Sequence, residues 1–228
     1  MYTSSRVPNE NHWDAIDYVV SRDHGRTWSI KAQVISSQYS TLRNDSAAFP
    51  QQTYHSRVGD PRIFADPASG YFDVWYGSRI VNKGRSWVAF HEHVARAPMS
   101  GKMAPGTWNK YYAGSWNEPG LGGKESNLVP IQSDSETGYT APEKEYNPTT
   151  SGQVTTQVAA GTCPSISPLF VMDLSYSVTW GKAPQEIYYT TDFATQKWRL
   201  PAPRDPTRVM VPVVPGPCEP DTARDCGS

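Results

Sequence analysis

Two histidines, His91 and His93, form the residue pair whose spacing suggests metal chemistry. They stand two positions apart in the segment Trp87 to Ala97, where the alternation of side chains predicts a β-strand, so both project from one face. A protein zinc site needs at least three protein ligands, and the sequence places no third ligand beside this pair. We therefore predict two histidines on a solvent-facing strand, flanking Glu92, and no metal or other cofactor.

Trp116 and Glu118 lie in the segment Trp116-Asn117-Glu118-Pro119-Gly120, whose composition predicts a loop. An exposed indole offers an apolar face on which the C–H surface of a sugar can stack. Trp116 is therefore a candidate carbohydrate platform, and Glu118 beside it is a candidate acid. Arg62 and Trp75 are further candidates for ligand contact, although most tryptophans of such a chain serve packing.

The composition excludes several classes of protein. The 228 residues carry 21 Lys plus Arg against 22 Asp plus Glu, so the near-balance argues against a nucleic-acid binder or a polybasic membrane anchor. Charged residues are only 19% of the chain and aromatic residues are 12%, beside 20 Pro and 17 Gly, which favours strands and turns over helices. No apolar run is long enough to span a bilayer, and the first residues do not form a signal peptide.

Short alternating segments predict an all-β fold. Ile16, Tyr18 and Val20 share one face of a predicted strand, as do Phe72, Val74 and Tyr76. Further strands are predicted at 87–97, 168–174 and 185–190. Residues 133–152 are polar and aperiodic, which predicts a long surface insertion, and the Pro-rich tail 201–228 is predicted to pack on the domain as a strap or edge strand.

Cys218 and Cys226 can close a small disulfide loop or stay unpaired, because spacing alone does not establish connectivity.

The segment Ser21-Arg22-Asp23-His24-Gly25-Arg26-Thr27-Trp28 matches the pattern S-x-D-x-G-x-x-W at every position. It predicts a hairpin turn in which Asp23 accepts backbone N–H groups, Gly25 takes an unusual dihedral and Trp28 folds back. Weaker echoes end at Trp108 and Trp198. The motif resembles the Asp-box of sialidases and related β-propellers, and this resemblance implies at least three four-stranded antiparallel blades over residues 1–200, ending near 28, 108 and 198.

Residues 55–115 resemble one blade of the five-bladed propeller glycoside hydrolases, through Gly59-Asp60-Pro61-Arg62-Ile63-Phe64, Asp66 to Tyr76, His93 to Pro98 and Gly106-Thr107-Trp108. In that family an acidic residue opens the inner strand of successive blades. The resemblance implies that Asp60 opens one inner strand as the partner that tunes the acid, and that Glu125 opens the next as the general acid. Asp14 is a weak substitute for the base, which should come from the preceding blade.

Each of these carboxylates has an alternative interpretation. Asp60, before Pro61, can cap a turn, and Glu125 can be a solvated residue after the Gly122-Gly123 loop. The 228 residues are few for five blades with long loops, so we expect either minimal blades or a partial chain that lacks the base.

The sequence thus predicts a secreted, carbohydrate-active β-propeller, most concretely a glycoside hydrolase acting on a neutral oligosaccharide or polysaccharide. One alternative is a non-catalytic propeller module that binds a glycan or a protein. The other is a sialidase-like exo-glycosidase, which needs three convergent arginines that the sequence does not bring together. No nucleic-acid or membrane partner is predicted, and the oligomeric state stays open.

Overall fold

The computed structural model describes residues 14–39, 54–67, 69–81, 87–129, 137–148 and 153–162, and the backbone of strands at 169–177, 185–192 and 197–199. For 54–57, 81 and 87–90 it likewise describes the backbone alone. The tail 201–228, with Cys218 and Cys226, lies outside the described residues.

Strands dominate the described part of the chain, so the prediction of a mainly β protein is confirmed. The strands are β1 (Ala15–Val20), β2 (Ser29–Ser36), β3 (Tyr54–Asp66), β4 (Tyr71–Val81), β5 (Trp87–Pro98), β6 (Asn109–Tyr112), β7 (Ser115–Pro119), β8 (Leu169–Ser177), β9 (Gln185–Asp192) and β10 (Lys197–Arg199). A short helix, α1 (Val154–Ala159), and two single turns of 3-10 helix, Met99–Gly101 and Pro142–Lys144, accompany them. Among the described residues, no helix has the length and apolar character needed to cross a membrane.

The strands form three antiparallel sheets. Strands β3 to β7 make a five-stranded meander in chain order, β1 and β2 make a hairpin, and β8 to β10 make a three-stranded sheet in the order β10-β9-β8. The sheets therefore have two, three and five strands rather than the predicted four, and within the described residues they do not close into a propeller. Residues 116–119 of the segment 116–120, which was predicted as a loop, belong to the edge strand β7.

The meander buries both of its faces. Phe72, Val74 and Tyr76 of β4 share one face, as predicted, and pack against the β1–β2 hairpin through Ile16, Val34 and Ile35. Trp75 points to the opposite face, where it packs with Phe64, Val94, Tyr111 and Leu128. Because both faces of the sheet are covered, side chains that point to either face are removed from water, and β4 is buried from Asp73 to Ile80.

The Asp-box joins β1 to β2 as a hairpin turn, which confirms the local prediction. Asp23 Oδ1 accepts the backbone N–H of Thr27 at 2.8 Å, and its Oδ2 accepts the Thr27 hydroxyl at 2.6 Å. Gly25 has φ +84°, a left-handed conformation that glycine adopts without steric cost. The Trp28 indole N–H donates to the Gly25 carbonyl at 3.0 Å, so the ring folds back over its own turn.

The two echoes of the Asp-box also lie between paired antiparallel strands. The unit ending at Trp108 joins β5 to β6, and the unit ending at Trp198 joins β9 to β10. The former unit has no aspartate, and backbone hydrogen bonds close its successive turns instead. As in the first hairpin, the tryptophan N–H donates to a turn carbonyl: the Trp108 indole N–H donates to the Met103 carbonyl at 3.1 Å. Trp108 is buried in the core between the hairpin and the sheet.

The region 137–148 has no strand but is not a purely surface insertion. Tyr139 forms an isolated β-bridge with Leu128 and packs against the core around Trp75. Tyr146 is buried with Ile80 and with Val154 of α1. Apolar residues in this region show neither strand nor helix periodicity and are buried by contacts with distant strands. Their burial could therefore not be predicted from the sequence pattern.

Candidate active site

Two cavities lie along the face of the five-stranded sheet that carries Val74, Tyr76 and Ile80. The first, called here the polar cavity, measures about 20 Å³, which is enough for one water molecule. Its walls carry ionisable and amide side chains, among them Tyr39, His91, His93, Glu125, Asn127 and Glu145. The second, called here the apolar cavity, measures about 680 Å³ and is lined mainly by aliphatic and indole side chains.

Glu125 reaches the polar cavity from the irregular segment that follows β7. Gly123 allows this path, because a Cβ at that position would collide with the backbone of Pro119. The carboxylate is only 4% exposed. Its Oε2 accepts hydrogen bonds from the Tyr76 hydroxyl at 2.7 Å and from the Lys110 ammonium at 2.7 Å. The prediction of a solvated Glu125 is therefore wrong.

Lys110 of β6 is the counter-charge of this carboxylate. Its ammonium group is fully buried and donates three hydrogen bonds, to the carbonyls of Ser36 (2.7 Å) and Gly123 (2.9 Å) and to Glu125 (2.7 Å). These bonds use all three ammonium protons, as a buried cation requires. Lys110 thereby ties the end of β2 to β6 and to the segment that carries Glu125.

The partners of Glu125 determine its ionisation. Burial raises the pKa of this carboxyl, but the Lys110 charge, the neighbouring His93 and the hydrogen bonds from Lys110 and Tyr76 outweigh burial and hold the pKa at about 2. Glu125 is therefore ionised at neutral pH. This result reverses the role implied by the family resemblance, because an ionised carboxylate has no proton to donate as a general acid.

His93 is a buried, neutral neighbour of Glu125. Its Nδ1 lies 3.0 Å from the Ser126 carbonyl, which can only accept, so Nδ1 carries the proton and Nε2 accepts the Ser78 hydroxyl at 2.7 Å. The pKa of His93 is lowered, mainly because the ring is buried. The prediction of a solvent-facing pair is thus wrong for His93, whereas His91 is half-buried. Among the described side chains, no group of three or more potential ligands is placed to hold a metal ion.

Glu145 brings a second carboxyl group to the polar cavity. It follows the 3-10 turn Pro142–Lys144, and its Oε1 accepts the backbone N–H of Asn127 at 3.3 Å. Burial raises the pKa of Glu145 to about 8, and the negative charge of Glu125 adds to that rise. Tyr39 lies in the same wall, and burial together with the two glutamates raises its pKa to about 12.

The polar cavity thus holds two carboxyl groups in opposite protonation states. At neutral pH Glu145 is protonated and Glu125 is ionised. Environments that separate the pKa values of two neighbouring carboxyl groups are typical of acid and base pairs in active sites. The arrangement can donate one proton, supply one fixed negative charge and hold one water molecule.

Asp60 and Asp14 are not neighbours of Glu125 in this cavity. Asp60 lies within β3, at φ +52°, pairs with Arg79 at 2.8 Å and lines the apolar cavity together with Arg62. Asp14 is buried directly before β1 and lines neither cavity. The predicted pairing of Asp60 with Glu125 is therefore replaced by a pairing of Glu145 with Glu125.

The candidate ligand-binding residues from the sequence lie in other surroundings. Trp75 is fully buried in the core, where it cannot contact a ligand. Trp116 is half-buried on β7, with the Arg96 guanidinium 4.3 Å above its ring and Tyr111 packed edge-on at 5.1 Å. Glu118, on the edge strand β7, accepts the backbone N–H of Lys124 at 3.0 Å, which is a structural contact.

Sequence reasoning missed Lys110, Glu145 and Tyr39. Lys110 stands beside two aromatic residues in Asn109–Tyr112, and a lysine at an inward position of such a strand is a signal for a buried ion pair. Glu145 offers no such signal, because it lies in an aperiodic region. Comparison of the chain with protein-family models, curated proteins and solved structures found no match.

Proposed function

We propose that this protein is a glycoside hydrolase that acts on a neutral oligosaccharide or polysaccharide, with Glu145 as the general acid and Glu125 as the ionised carboxylate. One observation carries the proposal: both carboxyl groups line the same small cavity, one protonated and the other charged at neutral pH. Glycoside hydrolysis requires that combination.

The two glutamates have different tasks in this mechanism. Glu145 donates its proton to the glycosidic oxygen as the bond to the leaving sugar breaks. A carboxylate with a pKa near 2 is a weak base, so the main contribution of Glu125 is its fixed charge, which stabilises the oxocarbenium-like transition state. Its Oε1 carries neither the Tyr76 nor the Lys110 hydrogen bond and is the oxygen that can orient a water molecule. This water adds to the anomeric carbon, and the proton that it loses returns Glu145 to its acid form.

The architecture in this proposal is an Asp-box β-propeller. The connections from β1 to β2 and from β5 to β6 end at Trp28 and Trp108, and Trp198 is the second residue of β10, which pairs with β9. Each tryptophan thus lies where two antiparallel strands are joined, which is the place of the motif in propeller blades. The same proposal includes secretion, as expected for an enzyme that acts on polysaccharide.

A panel of aryl glycosides and neutral polysaccharides tests the catalytic proposal. Glu145→Gln keeps the shape of the side chain but removes the acid, so we expect kcat to fall by about 10²- to 10⁴-fold on substrates with poor leaving groups. The loss should be smaller on nitrophenyl glycosides, whose leaving group needs little protonation. Glu118→Gln, a change of the same type on the edge strand β7, is the matched control and should leave kcat unchanged.

The alternative function is a non-catalytic propeller module that binds a glycan or a protein. It is favoured by the structural use of Glu125, whose ion pair with Lys110 joins three segments of the chain. No turnover by the wild-type protein or by Glu145→Gln on any substrate would support this alternative, whereas equal turnover by both would show that Glu145 is not the general acid.

A sialidase-like activity ranks below both candidates. Arg79 is engaged by Asp60, and Arg96 is held over the rings of Tyr71 and Trp116, each at 4.3 Å. These two guanidinium groups already have partners other than a substrate carboxylate. A sialic acid glycoside in the same panel tests this activity directly.

A further inference from the structure

The apolar cavity has the size of a small-molecule site. Its volume of about 680 Å³ falls in the usual range of ligand pockets, roughly 300 to 1,000 Å³. It lies between the β1–β2 hairpin and the sheet, and its walls include Ile16, Val34, Val74 and Met103. Its chemistry differs from that of the polar cavity, so a ligand here would serve a task other than glycoside hydrolysis.

Two indole rings line this cavity in fixed orientations. The Trp28 N–H is bound to the Gly25 carbonyl at 3.0 Å, and the Trp108 N–H to the Met103 carbonyl at 3.1 Å. Because both N–H groups are already satisfied, the rings present apolar surface to the cavity. Trp28 is nevertheless 53% exposed, so a large part of its ring is open to contact. Rings that are ordered before binding lower the entropic cost of association.

Polar groups are supplied at one wall by Asp60 and Arg62. Asp60 has φ +52°, a left-handed conformation that aspartate adopts more readily than most residues other than glycine. Arg79 binds Oδ2 of Asp60, and no described residue forms a hydrogen bond with Oδ1. The exposed Arg62 guanidinium donates to the Pro61 carbonyl at 3.3 Å and has further N–H groups for a ligand.

We propose that the apolar cavity binds an uncharged aromatic molecule that carries a hydroxyl group at one end, such as a phenol with two rings. Its rings would contact Trp28 and the aliphatic walls, and its hydroxyl would bond Asp60 or Arg62. A saccharide fits less well, because it carries hydroxyl groups on all sides and those facing aliphatic side chains would lose their hydrogen bonds to water without replacement.

The two cavities are too far apart for one such molecule. Val74 borders the apolar cavity and Ile80 borders the polar cavity, six positions further along β4. At the rise of a β-strand this separation is about 20 Å. Occupation of the apolar cavity therefore does not depend on the proposed hydrolase activity, and binding can be measured without any turnover.

Calorimetric titration of the full chain with 4-phenylphenol tests the proposal, with biphenyl and cellobiose as comparison ligands. Ile63→Arg places a bulky charge in the cavity wall, and we expect it to weaken binding at least tenfold. The matched control is Ile30→Arg, since Ile30 is 58% exposed and Ile63 is 56% exposed but only Ile63 lines the cavity. Both positions face solvent, so both variants should fold, which circular dichroism checks.

The outcomes separate the possibilities. Binding of 4-phenylphenol that is weakened by Ile63→Arg and by Trp28→Ala, and is unchanged by Ile30→Arg, supports the site. Weaker binding of biphenyl supports the role of the hydroxyl group. The proposal is overturned if 4-phenylphenol gives no binding up to its solubility limit, if Ile30→Arg weakens binding as much as Ile63→Arg, or if cellobiose binds more tightly than 4-phenylphenol.

Discussion

The polar and apolar cavities border the same face of β4, yet they are stabilised by opposite kinds of interaction. At the Ile80 end, a cavity of about 20 Å³ is surrounded by charges and hydrogen bonds between residues far apart in sequence. At the Val74 end, a cavity of about 680 Å³ is framed by indoles that their own turns hold in place. Tyr76 lies between them, with its ring in the apolar core and its hydroxyl on Glu125.

The difference shows how one sheet face can border two cavities of opposite character. Charges inside a protein are tolerated only where they are paired and closely surrounded, which leaves little empty volume. Apolar walls carry no such requirement and can border a large cavity, provided that their rings are ordered. The hydrolase proposal therefore concerns the polar end of the face, and the ligand proposal concerns the apolar end. Changes at the polar end should cost the most stability.

The largest effect is expected from Lys110→Met. The substitution leaves Glu125 as a buried charge without its counter-charge, so the free energy of unfolding should fall by about 3 to 5 kcal/mol. Urea denaturation measures the change. Lys110→Met combined with Glu125→Gln removes both charges and should recover a large part of the loss. A fall of less than about 1 kcal/mol in the single variant would contradict a buried ion pair.

A smaller loss is expected from Tyr76→Phe, which acts at the border between the cavities. The change removes a hydrogen bond of 2.7 Å to a charged group and keeps the ring in the core, so about 1.5 to 3 kcal/mol of stability should be lost. Tyr18→Phe is the matched control on the apolar side. Equal thermal denaturation midpoints for the two variants would show that the Tyr76 hydroxyl bond contributes nothing.

The pH dependence of stability should distinguish Glu145 from Glu125. The pKa of Glu145 is about 8 in the folded protein against an ordinary 4.5, so the folded state binds the extra proton between these values. Stability should accordingly fall as the pH rises from about 4.5 to about 8, and Glu145→Gln should remove this part of the fall. Melting temperatures across that range measure it, and identical profiles for both proteins would count against a buried, protonated Glu145.

For Glu125 the sign is opposite. Its pKa is about 2 in the folded state, so its contribution is present above pH 4.5 and is lost as the pH falls towards 2. Carbon-13 NMR of the glutamate carboxyl groups can follow both titrations. We expect one resonance to titrate near pH 8 and disappear in Glu145→Gln.

The smallest effect is expected from Asp23→Asn at the Asp-box, beside the apolar cavity. The pKa of Asp23 is lowered to about 2, chiefly by the side-chain and backbone hydrogen bonds from Thr27, but the turn is exposed and water can replace much of what is lost. The melting temperature should fall less than in Tyr76→Phe. Fluorescence quenching of Trp28 should increase if the turn loosens, with Arg22→Gln as the control in the same turn.

The strands and the first hairpin could be predicted because their signals are local. Alternation of apolar residues marked β1, β4 and β5, and the Asp-box pattern placed the turn at 21–28. The loop prediction for 116–120 was wrong for 116–119, because Pro119 is the last residue of an edge strand, where proline is tolerated. The size of each sheet could not be predicted, since strand pairing depends on contacts between distant segments.

Within the candidate site, Glu125 was found from the sequence but its role was not. Its acid role came from a resemblance, whereas its charge state depends on Lys110, which lies fifteen positions away and bonds the carboxylate in the folded chain. Glu145 lies in a region without periodicity, so its burial could not be inferred. The burial of Trp75 could not be inferred either: its ring was expected to contact a ligand but packs in the core.

A mainly β protein and the hairpin turn at 21–28 could thus be predicted from composition, periodicity and a motif of eight residues, whereas Glu125 was singled out by a resemblance. These features arise from interactions within a few residues, such as the Thr27 N–H bond to Asp23, and local order in the chain is sufficient to encode them. The protonation of Glu145, the ion pair of Glu125 and the separation of the two cavities required folding. Each depends on burial and on charges that come together from distant segments, and burial sets the free energy of every charge involved.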